Sequence, residues 1–111
     1  MNIRFDEHGT LCVVEVDGEF VGDSVDPFRR ACMDRIDSGV RDLIIDLSTT
    51  TLVDSSALET MLDLADATSK RRGRCMLASP DDSIRSVLAV TRLHEHLEVH
   101  EAVENAARTI R

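Results

Sequence analysis

Aromatic residues are nearly missing: the chain has no Trp, no Tyr and three Phe among 111 residues. Proteins that hold single-stranded nucleic acid stack bases on aromatic side chains, so that platform is not expected. Cations are scarce as well, 13 Lys plus Arg against 21 Asp plus Glu, for a formal net charge of -8. Phosphate backbones are gripped by clustered Lys and Arg, whereas an acidic balance suits a soluble protein and a partner with a basic face. No nucleic acid partner is expected. Long apolar runs are lacking too. Nothing approaches the roughly 20 residues that span a bilayer. The start, Met1-Asn2-Ile3-Arg4-Phe5-Asp6-Glu7, has no apolar stretch of the secretion-signal kind.

The three cysteines, Cys12, Cys32 and Cys75, are odd in number, far apart, and form no Cys-x-x-Cys pair. Each falls at an apolar position of an expected strand or helix. They read as small buried hydrophobes in a reducing compartment, which makes the cytoplasm the expected location, without direct membrane insertion. The five glycines never cluster, so no glycine-rich phosphate loop is expected.

What is present is alternation of element types. At 111 residues with no second composition block, the chain is expected to be a single domain over residues 1–111. Residues 10–17 are β-branched and bounded by Gly9 and Gly18, which predicts a strand; a short strand at 2–5 can pair with it. Val25, Phe28, Cys32 and Ile36 recur three or four apart, the apolar face of a helix that starts near Asp23 or Ser24 and stops at Gly39. Residues 40–47 hold the run Leu43-Ile44-Ile45, too short for a helix, and read as a buried strand. After a polar stretch, Leu58, Met61, Leu62, Ala65 and Thr68 define a second helix ending in Lys70-Arg71-Arg72, with Gly73 as the expected left-handed cap.

A strand at 74–78 follows. Ser79 then caps a third helix, with Pro80 in its first position, Asp81-Asp82 in its first turn, and a stripe of Ile84, Val87, Leu88 and Thr91. A short strand at 97–99 and a last helix with Ala102, Val103, Ala106, Ala107 and Ile110 on one side complete the chain. The expected fold class is α/β: a mixed, mainly parallel sheet of four to five strands covered by about four helices, joined by right-handed crossovers.

The most informative segment runs from the buried strand through Ser48, Thr49, Thr50 and Thr51 to Asp54-Ser55-Ser56-Ala57-Leu58-Glu59. A polar loop here delivers an Asp and two hydroxyls to a helix N-terminus, where unpaired N–H groups and the helix dipole favour an added phosphate. A serine there can accept a phosphoryl group and then carry roughly -1.5 to -2 charge. The same residues also fit a purely structural role. Ser56 and Glu59 match the capping-box pattern, with Asp54 and Ser55 as ordinary residues before a helix.

The sequence Asp46-Leu47-Ser48 after an apolar strand, then Val53-Asp54-Ser55-Ser56 and Leu58, a long helix, a basic-Gly turn and a strand, resembles the STAS domain family. This is the family of bacterial anti-sigma factor antagonists and sulphate-transporter tails. Val16-Asp17-Gly18-Glu19-Phe20 resembles the family's turn after its first long strand. Ala78-Ser79-Pro80 with Val87-Leu88 and Thr91-Arg92-Leu93 resembles its third crossover.

The resemblance implies a βα superhelix, no catalysis of its own and no cofactor. It also implies an anti-sigma factor partner that is a serine kinase of the histidine-kinase-like ATPase fold. By match, Ser55 is the phosphorylated residue, Asp54 shapes the acceptor site and Ser56 borders it. The expected partner surface is the loop 48–54, with Ser48, Thr49, Thr50, Thr51 and Asp54, plus the first helical turns with Ser55, Ser56, Ala57 and Glu59. Two positions depart from the family pattern, Ala57 and Glu59, where glycine is frequent. Glu59 places a negative side chain one turn from Ser55. It favours the alternative reading, an unphosphorylated scaffold or accessory subunit for an ABC transporter ATPase or a signalling assembly.

Other constellations read as structural. His94-Glu95-His96 with His100 lacks companion metal ligands and reads as surface histidines near a turn. Lys70, Arg71, Arg72 and Arg74 can hold an anionic partner, but cations are expected at a helix C-terminus anyway. No motif positions a Ser/His/Asp set, so no enzyme is expected.

Overall fold

The structure, a computed structural model, describes residues 1–110. In β2 (Leu11–Phe20) Cys12, Val14 and Val16 are buried and the residues between them are more exposed, as a period-two strand with one fully covered face requires. β1 (Asn2–His8) pairs antiparallel with it and runs three residues beyond the expected segment. β3 (Asp42–Asp46) lies parallel to β2, and its Leu43, Ile44 and Ile45 are all fully buried. An unbroken apolar run is what a central parallel strand, covered on both faces, demands. β5 (Cys75–Ala78) pairs parallel with β3, and β6 (Glu98–His100) with β5. The hydrogen-bonded path is therefore β1-β2-β3-β5-β6. A sixth strand, β4 (Thr50–Val53), lies off that path in what the sequence presents as a polar loop.

α1 (Val25–Asp37) buries the expected stripe Val25, Phe28, Cys32 and Ile36, and the chain breaks away at Gly39 with φ +117°. Phe28 meets Phe20 edge-on, ring centroids 4.6 Å apart, which seats α1 against the end of β2. α2 (Ser55–Ser69) buries Leu58, Met61 and Thr68, and adds Ala57, Thr60 and Leu64 to that face. α3 (Asp82–Val90) contributes Ile84 and Leu88 to the same core, while Thr91 stays exposed. α4 (Val103–Arg108) lies on the opposite side of the sheet, where Ala106 packs with Ile44, Met76 and Ala78.

Two helix ends differ from expectation. The left-handed residue after α2 is Arg72, φ +62°, not Gly73. Gly73 serves close approach: a Cβ there would lie 1.8 Å from the carbonyl oxygen of Arg41. The cap of α3 is Asp81, whose carboxylate accepts the Ile84 N–H at 2.8 Å. Ser79 instead adopts φ +57° and donates its hydroxyl to the carbonyl of Glu101, so Pro80 precedes the cap and only Asp82 lies in the first turn. An ionised carboxylate is the stronger acceptor for helix-end N–H groups, and Asp81 displaces the serine.

Three of the four cations in the basic cluster are tied up internally, while the Arg72 side chain is exposed with no ion pair among the described residues. Lys70 pairs with Asp66, Arg71 reaches Asp37 and the carbonyl of Ile36, and Arg74 holds Glu98 and the carbonyl of Thr109. All three cysteines are free and buried. Burial pushes the Cys12 thiol up to about 11 and that of Cys75 to about 12, and raises Cys32 as well. They stay protonated and unreactive near neutral pH. Among the described residues, no helix is long and apolar enough to cross a membrane.

Candidate functional site

Gly18 positions the site. At φ +99° it lets β2 shift register between Gly18 and Glu19, and the strand changes partner from β3 to β4. The Val16-Asp17-Gly18-Glu19-Phe20 segment is thus a bulged strand continuing to Phe20 rather than a turn. The Gly18 N–H donates to the carbonyl of Thr49 at 3.0 Å, and the Thr50 hydroxyl donates to that of Val16 at 2.7 Å. Thr50 is buried and acts as an internal strut. Ser48 and Thr49 are exposed near the start of β4, with the Ser48 N–H bound to the Asp46 carboxylate. Thr51 and Leu52 are exposed on β4 itself, Leu52 at 51%.

From β4 the chain enters α2 through Asp54, which is the N-cap. One carboxylate oxygen accepts the Ala57 N–H at 3.0 Å and the Ser56 hydroxyl at 2.7 Å; the other accepts the Gly22 N–H at 2.8 Å. The second bond tethers the turn at 22–24, between β2 and α1, to the start of α2. The Ser56 hydroxyl bond, then the Ala57 and Gly22 N–H bonds, hold the Asp54 carboxyl below its ordinary 3.8. The expected Ser56–Glu59 capping box does not form. Asp54 caps the helix two residues before Ser56, taking the Ala57 N–H, so the helix starts at Ser55 and the Ser56 hydroxyl donates to the cap instead of serving as one.

Ser55 therefore occupies the first helical position. It is exposed, and its hydroxyl makes no hydrogen bond among the described residues. Glu59 is exposed four residues on, one turn along the same face. Ala57, an expected surface residue, is fully buried. The exposed residues of β4 and of the first turns of α2 include Thr51, Leu52, Ser55 and Glu59, and the turn tethered to Asp54 carries the exposed Asp23. The expected surface loop 48–54 contains Leu52 without singling out this isolated aliphatic in a polar stretch, and sequence reasoning missed Gly22. Chemically, Ser55 offers a free hydroxyl at a helix N-terminus, whereas both Asp54 oxygens are already engaged.

The Asp54 geometry has a pH signature. Its folded value is depressed, so its contribution to stability is complete above the unfolded value of 3.8 and is lost as pH falls through the lower folded value. Asp54→Asn should melt below the parent at pH 7, and the gap should narrow below pH 3.8. Thermal melts of both proteins across pH 2.5–7 check this.

The histidines do not converge. His94, Glu95 and His96 are exposed around a 3-10 turn, with His94 Nδ1 at 3.2 Å from the carbonyl of Leu88. His100 ends β6, 3.8 Å from Glu98. Among the described residues, no group of three or more His, Cys, Asp or Glu is placed to hold a metal ion.

Comparison with known proteins places this arrangement. The profile described as "STAS domain" matches residues 2–106. No curated protein matches the sequence. Among solved structures, a protein of Thermotoga maritima described as a candidate anti-sigma factor antagonist superposes with TM-score 0.93 at 18% identity, covering 98% of this chain and 94% of that one. The Bacillus cell fate determinant SpoIIAA in its phosphorylated form gives 0.80 at 20% identity, covering 99% and 100%. An anti-sigma factor antagonist of Mycobacterium paratuberculosis gives 0.85 at 18% identity, covering 99% and 93%. At such identities the superpositions establish a shared fold, and the profile match establishes kinship: this chain belongs to the STAS domain family.

Proposed function

We propose that this protein is a cytoplasmic regulator of the anti-sigma factor antagonist type, one STAS domain that docks on an anti-sigma factor and is switched at Ser55. It needs no cofactor and performs no catalysis; the kinase is the partner, a serine kinase of the histidine-kinase-like ATPase fold. The observation that carries the reading is Ser55 itself, exposed at the first position of α2 with a hydroxyl that has no partner among the described residues. Fold likeness to anti-sigma factor antagonists supports it, among them SpoIIAA, whose structure is described in both unphosphorylated and phosphorylated forms. The docking surface comprises Thr51, Leu52, Ser55, Ser56 and Glu59, with Asp54 holding the acceptor turn in place. Ser48 and Thr49 extend it along the surface. Thr50 and Ala57 act from beneath.

Incubation with the cognate ATPase and ATP, followed by intact mass and peptide mapping, tests the switch. One added phosphate on Ser55, absent from Ser55→Ala, is the expected result. Glu59 favours a second reading, in which the domain is an unphosphorylated scaffold for an ABC transporter ATPase or a signalling assembly. A stable complex without mass change on the wild-type protein would select that reading.

A further inference from the structure

The two faces of the sheet are covered unequally. α1, α2 and α3 pack on the face that carries Cys12, Val14, Val16, Ile45 and Leu77. Among the described residues the opposite face has only α4, six residues long, over Ile44, Met76 and Ala78. Leu11 and Val13 of β2 belong to that second face and are only partly buried. Parallel strands are ordinarily covered on both sides, so this half of the sheet has an unfilled place beside α4. The place is a groove of about 500 Å³ between the β1–β2 hairpin and α4. Leu11, Val13, Val103 and Ala107 supply its apolar lining.

The rim is charged, with one sign in excess. Asp6, Glu15, Asp46 and Glu104 line the groove against one arginine, Arg4, and His8, which lies 3.0 Å from the Asp6 carboxylate. Glu15 stands beside Asp46 in the parallel β2–β3 register and opposite Arg4 in the antiparallel one. Like charges on neighbouring strands repel, and one arginine cannot neutralise both. Among the described residues, Arg4, Glu15 and Glu104 take part in no ion pair. An apolar floor inside an acidic rim is complementary to an amphipathic segment with a basic polar face. A second copy of this chain is a poor occupant, because it carries the same -8 charge and the same acidic rim. None of the groove residues belongs to β4 or α2; the groove meets the Ser55 surface only at its edge, where the Asp46 carboxylate accepts the Ser48 N–H.

We propose that this groove is a second docking surface, which receives a basic amphipathic helix of a partner protein laid beside α4. The apolar face of the incoming helix covers Leu11 and Val13, and its Lys and Arg side chains meet Glu15, Asp46 and Glu104. The occupied groove completes the second helix layer of the fold.

The probe is a synthetic Leu/Lys peptide of about 14 residues, long enough for roughly 21 Å of helix. A Leu/Glu peptide of the same pattern and a scrambled Leu/Lys peptide are the controls. The readout is NMR titration of the full chain. The expected result is a set of shift changes centred on Leu11, Val13, Val103 and Ala107, with helix formation in the Leu/Lys peptide only. Glu15→Gln with Glu104→Gln should weaken binding at least about tenfold, and raising salt should weaken wild-type binding in parallel. Ser55→Asp should leave it unchanged, which keeps this result independent of the switch. Shift changes elsewhere, equal binding of either control, or indifference to the double substitution would overturn the proposal. So would a dimer formed by the protein alone through these residues, seen by sedimentation.

Discussion

Ser55→Asp is expected to weaken binding of the partner ATPase by about 100-fold or more, and Ser55→Ala to bind within about threefold of wild type. The physical case rests on where the charge would go. Ser55 is exposed at the first helical position, three residues after the exposed Leu52 and one turn before Glu59. A carboxylate there places a second anion beside the ionised Asp54, in a patch whose aliphatic member must be desolvated on docking. Unpaired like charges at an interface cost several kcal/mol, and about 2.7 kcal/mol is already 100-fold in affinity. The fold should not notice. An acid in the first turn of a helix is favourable toward the dipole, and Asp54 and Glu59 offset that gain. Calorimetric titration with the partner, alongside thermal melts of each variant, separates lost docking from lost folding. Equal affinities for the two variants would leave Ser55 as a passive contact. The same logic assigns Leu52 an apolar share of the interface, so Leu52→Glu should resemble Ser55→Asp in binding and in retained stability.

The largest effect on folding is expected at Gly73, where Gly73→Ala should cost about 3 kcal/mol or more. Its Cβ would lie 1.8 Å from the Arg41 carbonyl oxygen and 2.7 Å from its carbonyl carbon. Backbone atoms cannot move aside as a flexible side chain does. The loop at Arg41 is held by its own N–H to the Thr10 carbonyl at 2.9 Å, and the Arg74 N–H is fixed on the Asp42 carboxylate at 2.9 Å. Overpacking against such a fixed neighbour falls at the upper end of the usual 1–3 kcal/mol range. In a domain whose whole stability is of order 5–15 kcal/mol, that is roughly a 12 °C fall in melting temperature. Arg72→Gly should do the opposite. Arg72 holds φ +62°, a left-handed conformation that costs a side-chain-bearing residue roughly 1 kcal/mol, so glycine there should be neutral or mildly stabilising. Urea denaturation of both variants checks the pair. A left-handed cap at Gly73 itself would instead make Gly73→Ala a mild change and Arg72→Gly a loss.

Much of the architecture was legible because it rests on local periodicity. The stripe Val25, Phe28, Cys32 and Ile36 is buried as its spacing demands, and Leu43-Ile44-Ile45 is the buried strand that its length and composition allow. A 3.6-residue or a two-residue period survives in one dimension, since each residue's facing depends only on its near neighbours. Helix ends were less legible. At both α2 and α3 a serine fits the capping pattern, yet an aspartate within two residues of it takes the cap. The competition between a hydroxyl and a nearby carboxylate is decided by geometry at the chain's entry, which no local pattern records.

By itself the sequence determined the α/β alternation, the buried cysteines and the helix start at Asp54-Ser55-Ser56 as the place to look. Tertiary structure alone decided that Asp54 is the cap and the tether. It accepts an N–H from Gly22, 32 residues away, and no local window can contain that bond. Tertiary structure also made Thr50–Val53 a strand, because the bulge at Gly18 turns the end of β2 toward it. Leu52 is exposed on that strand, and the Asp54 cap sets Ser55 at the first helical position, its hydroxyl without a partner among the described residues. Contacts between residues distant in sequence are set only when the chain closes on itself, and the exposed face of this helix start is built from such contacts.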